Sequence, residues 1–516
     1  MKQVNLIINS KKVRTFVYFL LLFFLFLRLL GAFVDPDMWW HIQLGSNILN
    51  NNWVNNLTFT CNEYVWINHS WLSDFLINLL NNTIGLRGLS IFFALIFLGG
   101  IFFNFLALKK LLSEWNIKRS KFNNLLYFLI FILLLSTFIA IRPQVFTFFF
   151  FNLLFYLLIR LYYSKGISYK TLFPIVLLFL IWVNLHGGFV IGIGLIGIFL
   201  IDSFLSLTNN AYLSKKEETA LQFKKFKYLL ALIVIFVLVS LINPFGFNLW
   251  IEIFTLVLGS NNAAYISEWR AINIKESFHL FYFLILLGSF ILKIINKNRN
   301  ILQLLLLVIL GLLSIFSIRY ILPVSGIIIT LFFVEAFSIL QKIETFFIKD
   351  KDLLKIMNLL KAFVIVFIGL IAAMGSYLSV QYFINLNNLT ESNPSLIIYP
   401  VKAVDYIKEH QEQFKDLKFY NTYIWGGYLE YVLRDHSWFI DGRMPEWNCG
   451  GKVKKNLMLD YIEVEDIKES WLKVLREHGI EAVLVQKQSP LSNVLDKTDN
   501  WRLVYSDNIS VIFIKK

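Results

Sequence analysis

The chain has 516 residues, 57% of them hydrophobic and only 16% charged, with a formal charge of +14 and a mean hydropathy of +0.63. Soluble chains average about 45–50% apolar and about 25% charged, so this balance excludes a disordered protein and argues against an ordinary soluble enzyme. The positive charge does not point to nucleic acid, because Lys and Arg cluster between apolar runs as in the cytoplasmic loops of a membrane protein. Two cysteines are too few for a disulfide scaffold or a Cys-built zinc site.

A membrane span needs roughly 20 apolar residues. Eleven segments qualify, over approximately 15–34, 89–108, 124–141, 145–163, 171–187, 188–206, 229–246, 279–296, 300–318, 320–341 and 362–384. The first reads as a retained anchor rather than a signal peptide, because Val34-Asp35-Pro36-Asp37 follows it in place of a small-residue cleavage site. With the amino end inside, inner connections carry clusters such as Lys109, Lys110, Lys118, Arg119 and Lys121. The outer ones before the last span hold only Arg87, Arg142, Arg270, Lys275 and Arg319. That asymmetry predicts a cytoplasmic amino end, and an odd number of spans puts the carboxyl end outside. The expected fold is an α-helical polytopic membrane protein of about eleven spans over residues 1–385, in the cell (inner) membrane. An extracytoplasmic α/β domain follows over 386–516.

In that tail, Pro400 to Glu409 reads as a helix, and Lys418 to Asn421, Trp438 to Ile440 and Ala482 to Val485 as strands. Ile467 to His478 has helical periodicity and ends at Gly479, a C-cap signal. Trp501 to Ile514 alternates around Asp507-Asn508 as a closing hairpin. Tyr420 to Leu429 reads as a strand entering a Gly-Gly turn and then a helix. The neighbouring Asp441-Gly442-Arg443 is more simply a structural Asp–Arg pair than an acceptor-binding edge. Cys61 and Cys449 both fall outside, and nothing in the sequence brings them together.

The first outer loop, about 35–88, is too long for a plain connection. It gathers Asp35, Asp37, Trp39, Trp40, His41, Glu63, Trp66, His69, Trp71 and Asp74 near one membrane face, with Asp37 and His41 four apart on one helical face. Leu72, Phe75, Leu76, Leu79 and Leu80 have the spacing of a helix lying on the bilayer. The bland alternative is an interfacial anchor rich in Trp. Other outer junctions carry polar groups that a plain turn does not need: Arg142-Pro143-Gln144, Asn184 with His186-Gly187-Gly188, Asn243-Pro244-Phe245-Gly246, Glu268-Trp269-Arg270 and Arg319-Tyr320. Polar groups at span ends facing a bundle interior mark substrate paths, although a single Arg there also snorkels to the interface. Arg28, inside the first span, either snorkels or pairs with a nearby acid.

An amino-terminal span running straight into an acidic motif, a long first outer loop, many spans and an outer carboxyl-terminal domain resemble the GT-C glycosyltransferase superfamily. Asp35-Pro36-Asp37-Met38-Trp39-Trp40-His41 and Asn68-His69-Ser70-Trp71 are similar to motifs in a group of bacterial multi-span proteins placed near that superfamily. Arg142-Pro143-Gln144, Asn184-Leu185-His186-Gly187-Gly188, Trp425-Gly426-Gly427-Tyr428 and Asp441-Gly442-Arg443 match that group too.

The resemblance implies transfer of a sugar from a polyprenyl-phosphate carrier to an acceptor at the outer membrane face, with membrane lipid around it and no nucleic acid. A carboxylate takes the acceptor's proton, and Arg side chains or a divalent cation stabilise the lipid phosphate that leaves. By that analogy Asp37 leads as base or metal ligand, with Asp35 second, and His41 joins the catalytic set. His69, Trp71, Arg142, His186, Glu268, Arg270 and Arg319 form the substrate-binding set. No spacing settles whether a metal is needed, since hard cations accept scattered carboxylates. Two other classes stay open: a transporter or flippase for lipid-linked sugars, whose inverted repeats and broken mid-membrane helices are not evident, and a non-catalytic membrane partner.

Overall fold

The computed structural model describes residues 35–48, 53–62, 64–118, 140–166, 172–208, 216–258, 266–347, 373–386, 398–443, 448–449 and 455–516, with scattered positions within 19–30, 124–135 and 363–370. The span expected at 15–34 and Glu63 lie largely or wholly outside the described residues, 124–141 is described only at scattered positions, and residues 373–384 of the span expected at 362–384 are helical.

The helices in order are α1 (Pro36–Ile48), α2 (Trp71–Glu114), α3 (Gln144–Tyr162), α4 (Leu172–Leu185), α5 (Phe189–Thr208), α6 (Lys216–Val239), α7 (Asn248–Leu258), α8 (Ser277–Ile295), α9 (Ile301–Phe316) and α10 (Ile321–Phe347). Among the described residues, five stretches are long and apolar enough to cross a membrane: α2, α3, α5, α8, and α10 with the turn before it. The helices α4 and α9 and most of α7 are apolar but shorter.

Two spans differ from expectation for local reasons. The predicted 89–108 is part of the 44-residue α2, which begins at Trp71 and kinks at Gly85, where φ is 68°. The stretch from Leu72 to Leu80 is thus the leading part of this helix. The predicted 229–246 starts earlier, at Lys216, and stops at Val239. There the Asn243 amide bonds the carbonyls of Ser240 and Gly246, closing a turn with Gly246 at φ 54°. The bundle interior is aromatic. Phe97 of α2 stacks on Phe148 of α3 with centroids 4.7 Å apart, contact of the kind that holds helices together where lipid offers no hydrophobic gradient.

After the bundle come α11 (Val401–Glu409), β1 (Lys418–Asn421), α12 (Gly426–Val432), β2 (Ser437–Trp438), β3 (Asn448–Cys449), β4 (Lys455–Asn456), α13 (Leu457–Glu465), α14 (Trp471–Glu477), β5 (Ala482–Gln486), β6 (Trp501–Ser506) and β7 (Ser510–Lys515). The five-stranded sheet has the order β2-β1-β5-β7-β6. β1 lies parallel to β2 and β5, and the closing hairpin β6–β7 is antiparallel. Gly479 takes φ 64° just past α14, as its C-cap reading requires. The Gly426-Gly427 pair opens α12 instead of forming a turn.

The first outer loop is built into this domain. Thr58 bridges to Trp438 in parallel, and Phe59 N–H bonds the Trp438 carbonyl at 3.2 Å. The Thr60 hydroxyl donates to the Phe439 carbonyl. Cys61 is disulfide-bonded, and the sequence holds one other cysteine, Cys449, so the pairing for which the sequence offered no sign of proximity is made. The loop extends the sheet beyond β2 and fixes the domain over α1. The carboxyl ends of β1 and β2 accordingly meet the amino end of α1.

Candidate active site

Asp35 and Pro36 start α1. The Asp35 carboxylate accepts the Asp37 N–H at 2.9 Å, an N-cap, and Pro36 at the first helical position gives up no needed donor. Asp37 is then in the first turn, where the helix dipole favours an acid. Its neighbours leave little space: a Cβ at Gly442 would collide with the Asp37 carboxylate, and one at Gly427 would sit 3.0 Å from the Pro36 carbonyl. Gly427 and Gly442 are therefore explained by their close approach to α1, whereas a Cβ at Gly426 would collide with the Ile440 carbonyl.

Arg142, from the turn before α3, reaches this point. Its guanidinium contacts Asp37 Oδ2 and Glu268 Oε1 at 2.5 Å each and Asp35 Oδ1 at 3.3 Å. Three carboxylates from two distant segments thus share one guanidinium. Burial would raise the Glu268 carboxyl, but the charges of Arg142 and Arg319 outweigh it and hold it below its usual value. At Asp35 burial wins over Arg142, and the carboxyl is pushed up to about 6.

The cluster forms one wall of a cavity of about 340 Å³. His41, His69 and His186, Gln144, Trp269 and Arg319 add to it from the bundle side, and Tyr423, Gly442 and Arg443 from the carboxyl-terminal domain. A second, apolar cavity of about 350 Å³ runs on between α5, α7 and α9. The two share His69, Gln144, His186, Leu256, Trp269 and Arg319. Arg319, held over the Trp269 ring at 4.8 Å, stands at their junction.

The three histidines differ in what they offer. His186 Nδ1 accepts the Gly188 N–H at 3.1 Å and lies 2.7 Å from the Thr147 hydroxyl, which itself accepts the Trp182 indole N–H at 3.0 Å. Its ring hydrogen therefore belongs on Nε2. His41 is the reverse. Its Nδ1 lies 2.5 Å from Asp74 Oδ1, and only an N–H fits against a carboxylate, so its Nε2 carries the lone pair. Burial, then the Arg319 charge, lowers His69 to about 3 and keeps it neutral.

Arg443 closes the outer side. It donates to Asp441 through Nε at 2.9 Å and Nη2 at 2.5 Å, and to the Asn55 amide oxygen at 3.1 Å. The Asp441-Gly442-Arg443 segment is thus the structural pair its sequence suggested, and it is a cavity wall as well.

Eight of the ten sequence-predicted residues line the cavity: Asp35, Asp37, His41, His69, Arg142, His186, Glu268 and Arg319. Two do not. Trp71 turns its indole N–H to the Asn184 amide oxygen at 2.9 Å, tying α2 to the end of α4. Arg270 is exposed and contributes its carbonyl to Ile318 N–H at 2.9 Å. Adjacency in sequence placed both near the site, but their side chains leave from other faces. Among the described residues Arg28 pairs with no acid; it bonds the Gly375 carbonyl at 3.1 Å. Tyr423 and Glu252, the latter on α7, line the cavity without a sequence motif to flag them. Strand-end position is the one signal that points to Tyr423.

The site does not fit a divalent cation. The three carboxylates that could converge on one already converge on the Arg142 guanidinium. Among the described residues no other group of His, Cys, Asp and Glu is set to hold a metal.

An α/β domain caps a helical bundle with long apolar helices, with an acidic motif at the seam, and solved structures share this fold. The fold is similar to that of an oligosaccharyltransferase from Archaeoglobus fulgidus tethered to an acceptor peptide, with a TM-score of 0.54 at 11% identity over 97% of this chain and 74% of that one. It is also similar to ArnT from Cupriavidus metallidurans bound to undecaprenyl phosphate, with a TM-score of 0.52 at 15% identity over 98% of both chains. The apo form of that ArnT gives 0.50 at 12% identity, over 95% of this chain and 96% of that one. Both are GT-C glycosyltransferases. No family model matches the sequence, and no curated protein does.

Proposed function

We propose that this chain is a glycosyltransferase that moves a sugar from a polyprenyl-phosphate donor to an acceptor at the extracytoplasmic face of the cell membrane, with its amino end in the cytoplasm. The observation that carries this reading is the junction of two cavities of unlike chemistry. A phosphate-linked lipid has one charged end and one apolar end. Here an acidic and basic chamber opens into an apolar one, with Arg319 at the boundary. Arg319 pairs with the phosphate and stabilises the negative charge it gains as the sugar leaves. The apolar chamber takes the start of the prenyl chain. The acceptor enters from the side of Tyr423 and Arg443, and its hydroxyl meets the carboxylate edge of Asp35 and Asp37. Arg142 holds that edge in place and offsets its charge. ArnT with undecaprenyl phosphate supports a lipid-linked donor, and the Archaeoglobus oligosaccharyltransferase with its acceptor peptide supports an acceptor brought to the same face.

The direct test is binding of undecaprenyl phosphate to the protein in lipid nanodiscs, with undecaprenol as the neutral control. Tighter binding of the phosphate, reduced tenfold or more in Arg319→Ala, supports the reading. Equal binding of phosphate and alcohol removes it.

A further inference from the structure

We propose that His41, held by Asp74, takes the acceptor's proton during transfer. This rests on the sugar-transfer reading and names where the proton goes.

Asp74 sits in the first turn of α2 and is fully buried. Its two oxygens are committed: Oδ1 to His41 Nδ1 at 2.5 Å and Oδ2 to the Asn68 amide at 2.6 Å. The Asn68 amide oxygen in turn accepts the Ser70 N–H at 2.9 Å. A carboxylate so fixed serves its histidine in two ways. It sets the tautomer that leaves Nε2 open, and it neutralises the imidazolium that would otherwise be an isolated buried charge. His41 itself is 3% exposed, and it borders the cavity beside Asp37 and Arg142.

The alternatives are less free. A proton on Asp37 or Glu268 would break a charge-assisted bond to Arg142. Asp35 Oδ1 is occupied by the Asp37 N–H and Arg142, which leaves Asp35 to orient the hydroxyl. His186 has the opposite tautomer and donates from Nε2. The charged and titratable groups facing the pair are His69 and His186 from the bundle and Arg443 from the outer domain, whose charge interacts with Asp74.

In the step, the acceptor O–H bond breaks and its proton moves to His41 Nε2. The oxygen forms a bond to the anomeric carbon, and the bond from that carbon to the carrier phosphate oxygen breaks, its electron pair staying on the lipid phosphate. His41 is a catalytic residue in this account and Asp74 a positioning residue.

The first test does not need turnover. Diethyl pyrocarbonate acylates an unprotonated, reachable imidazole nitrogen, and mass spectrometry locates it. His41 is expected to be labelled in the wild type and to be labelled less in Asp74→Asn, which no longer fixes the ring hydrogen on Nδ1 and leaves Nε2 less often open. No labelling at His41, or labelling unchanged in Asp74→Asn, overturns the proposal.

The second test compares hexose transfer from polyprenyl-phosphate hexoses by the wild type, His41→Gln and Asp35→Asn. His41→Gln is expected to lower kcat by about 10²–10⁴-fold with a small change in KM, and Asp35→Asn to lower it less. Asp74→Asn lowers kcat in step with the labelling, again with a small change in KM. Near-normal transfer by His41→Gln overturns the histidine's role and leaves sugar transfer standing. No transfer by the wild type from any such donor defeats sugar transfer, and this proposal with it.

Discussion

Two arginines gather carboxylates around one cavity, and they do so in opposite settings. Arg142 binds Asp35, Asp37 and Glu268 where the side chains are 16–35% exposed. Arg443 binds Asp441, with Glu430 beside it, where none is more than 1% exposed. In the cluster of the carboxyl-terminal domain, burial first and the Asp441 charge second push the Glu430 carboxyl well up. Asp441, which burial would raise, is instead held below the ordinary carboxylate value by Arg443. The two acids are thus driven in opposite directions around one arginine whose side chain is 1% exposed. In the Arg142 cluster the acids outnumber the cation and face open space. Residue types alone do not separate a support from a site; the surplus of charge and the access to it do.

Removing each arginine is the sharpest way to break that contrast. Arg443→Ala leaves the buried Asp441 carboxylate without its partner, a loss of about 3–5 kcal/mol. The expected outcome is poor recovery of folded protein and a much lower melting temperature in detergent. Arg142→Ala leaves three carboxylates facing one another at a site that is partly open to solvent, so melting is expected to fall, but by less than in Arg443→Ala. The transfer rate of Arg142→Ala should fall on the order of 10²–10³-fold, as when a charge-stabilising donor is removed from a reaction centre. If both variants lose stability equally, the two clusters are alike and the contrast is wrong.

Asp35 sharpens it on the side of charge. Its folded value is about 6 against an ordinary 3.8. A folded value raised above the unfolded one gives a stability contribution that is complete below about 3.8 and lost as pH rises through about 6. Since 1 unit is worth about 1.4 kcal/mol, ionised Asp35 costs roughly 2–3 kcal/mol at neutral pH. The melting temperature of the wild type should therefore fall between pH 4 and 7 relative to that of Asp35→Asn, which keeps the N-cap. Parallel curves for the two proteins would show that Arg142 fully compensates the burial.

The local motifs were legible because each does its work within a few residues. Asp35 and Pro36 cap a helix, Gly188 sets the His186 tautomer, and Gly479 ends α14. Their cavity-lining character was legible too, since polar groups at the outer ends of apolar spans have few other uses. What stayed hidden depends on approach between distant segments. Asp74 was one acid among several in a loop until α1 brought His41 to it. The first outer loop gave no sign that it would extend the sheet past β2, because a single bridge at Thr58 leaves no periodicity to read. The length of α2 was missed because hydropathy marks the lipid-crossing part of a helix, not its polar beginning.

Arg270 tests how far position alone can mislead. It lies two residues from Glu268, which is bound to Arg142, and in sequence it looked as good a phosphate ligand as Arg319. Its side chain is outside both cavities, whereas Arg319 lines both. A guanidinium outside the cavity gains little from a phosphate it does not touch, because water and salt screen the charge within about 8 Å. Arg270→Ala is therefore expected to change transfer and undecaprenyl phosphate binding by less than about twofold, a few tenths of a kcal/mol. Binding measured at two salt concentrations checks this. A loss approaching that of Arg319→Ala would mean that the 267–270 turn swings inward when the lipid arrives, and that both arginines then share the phosphate.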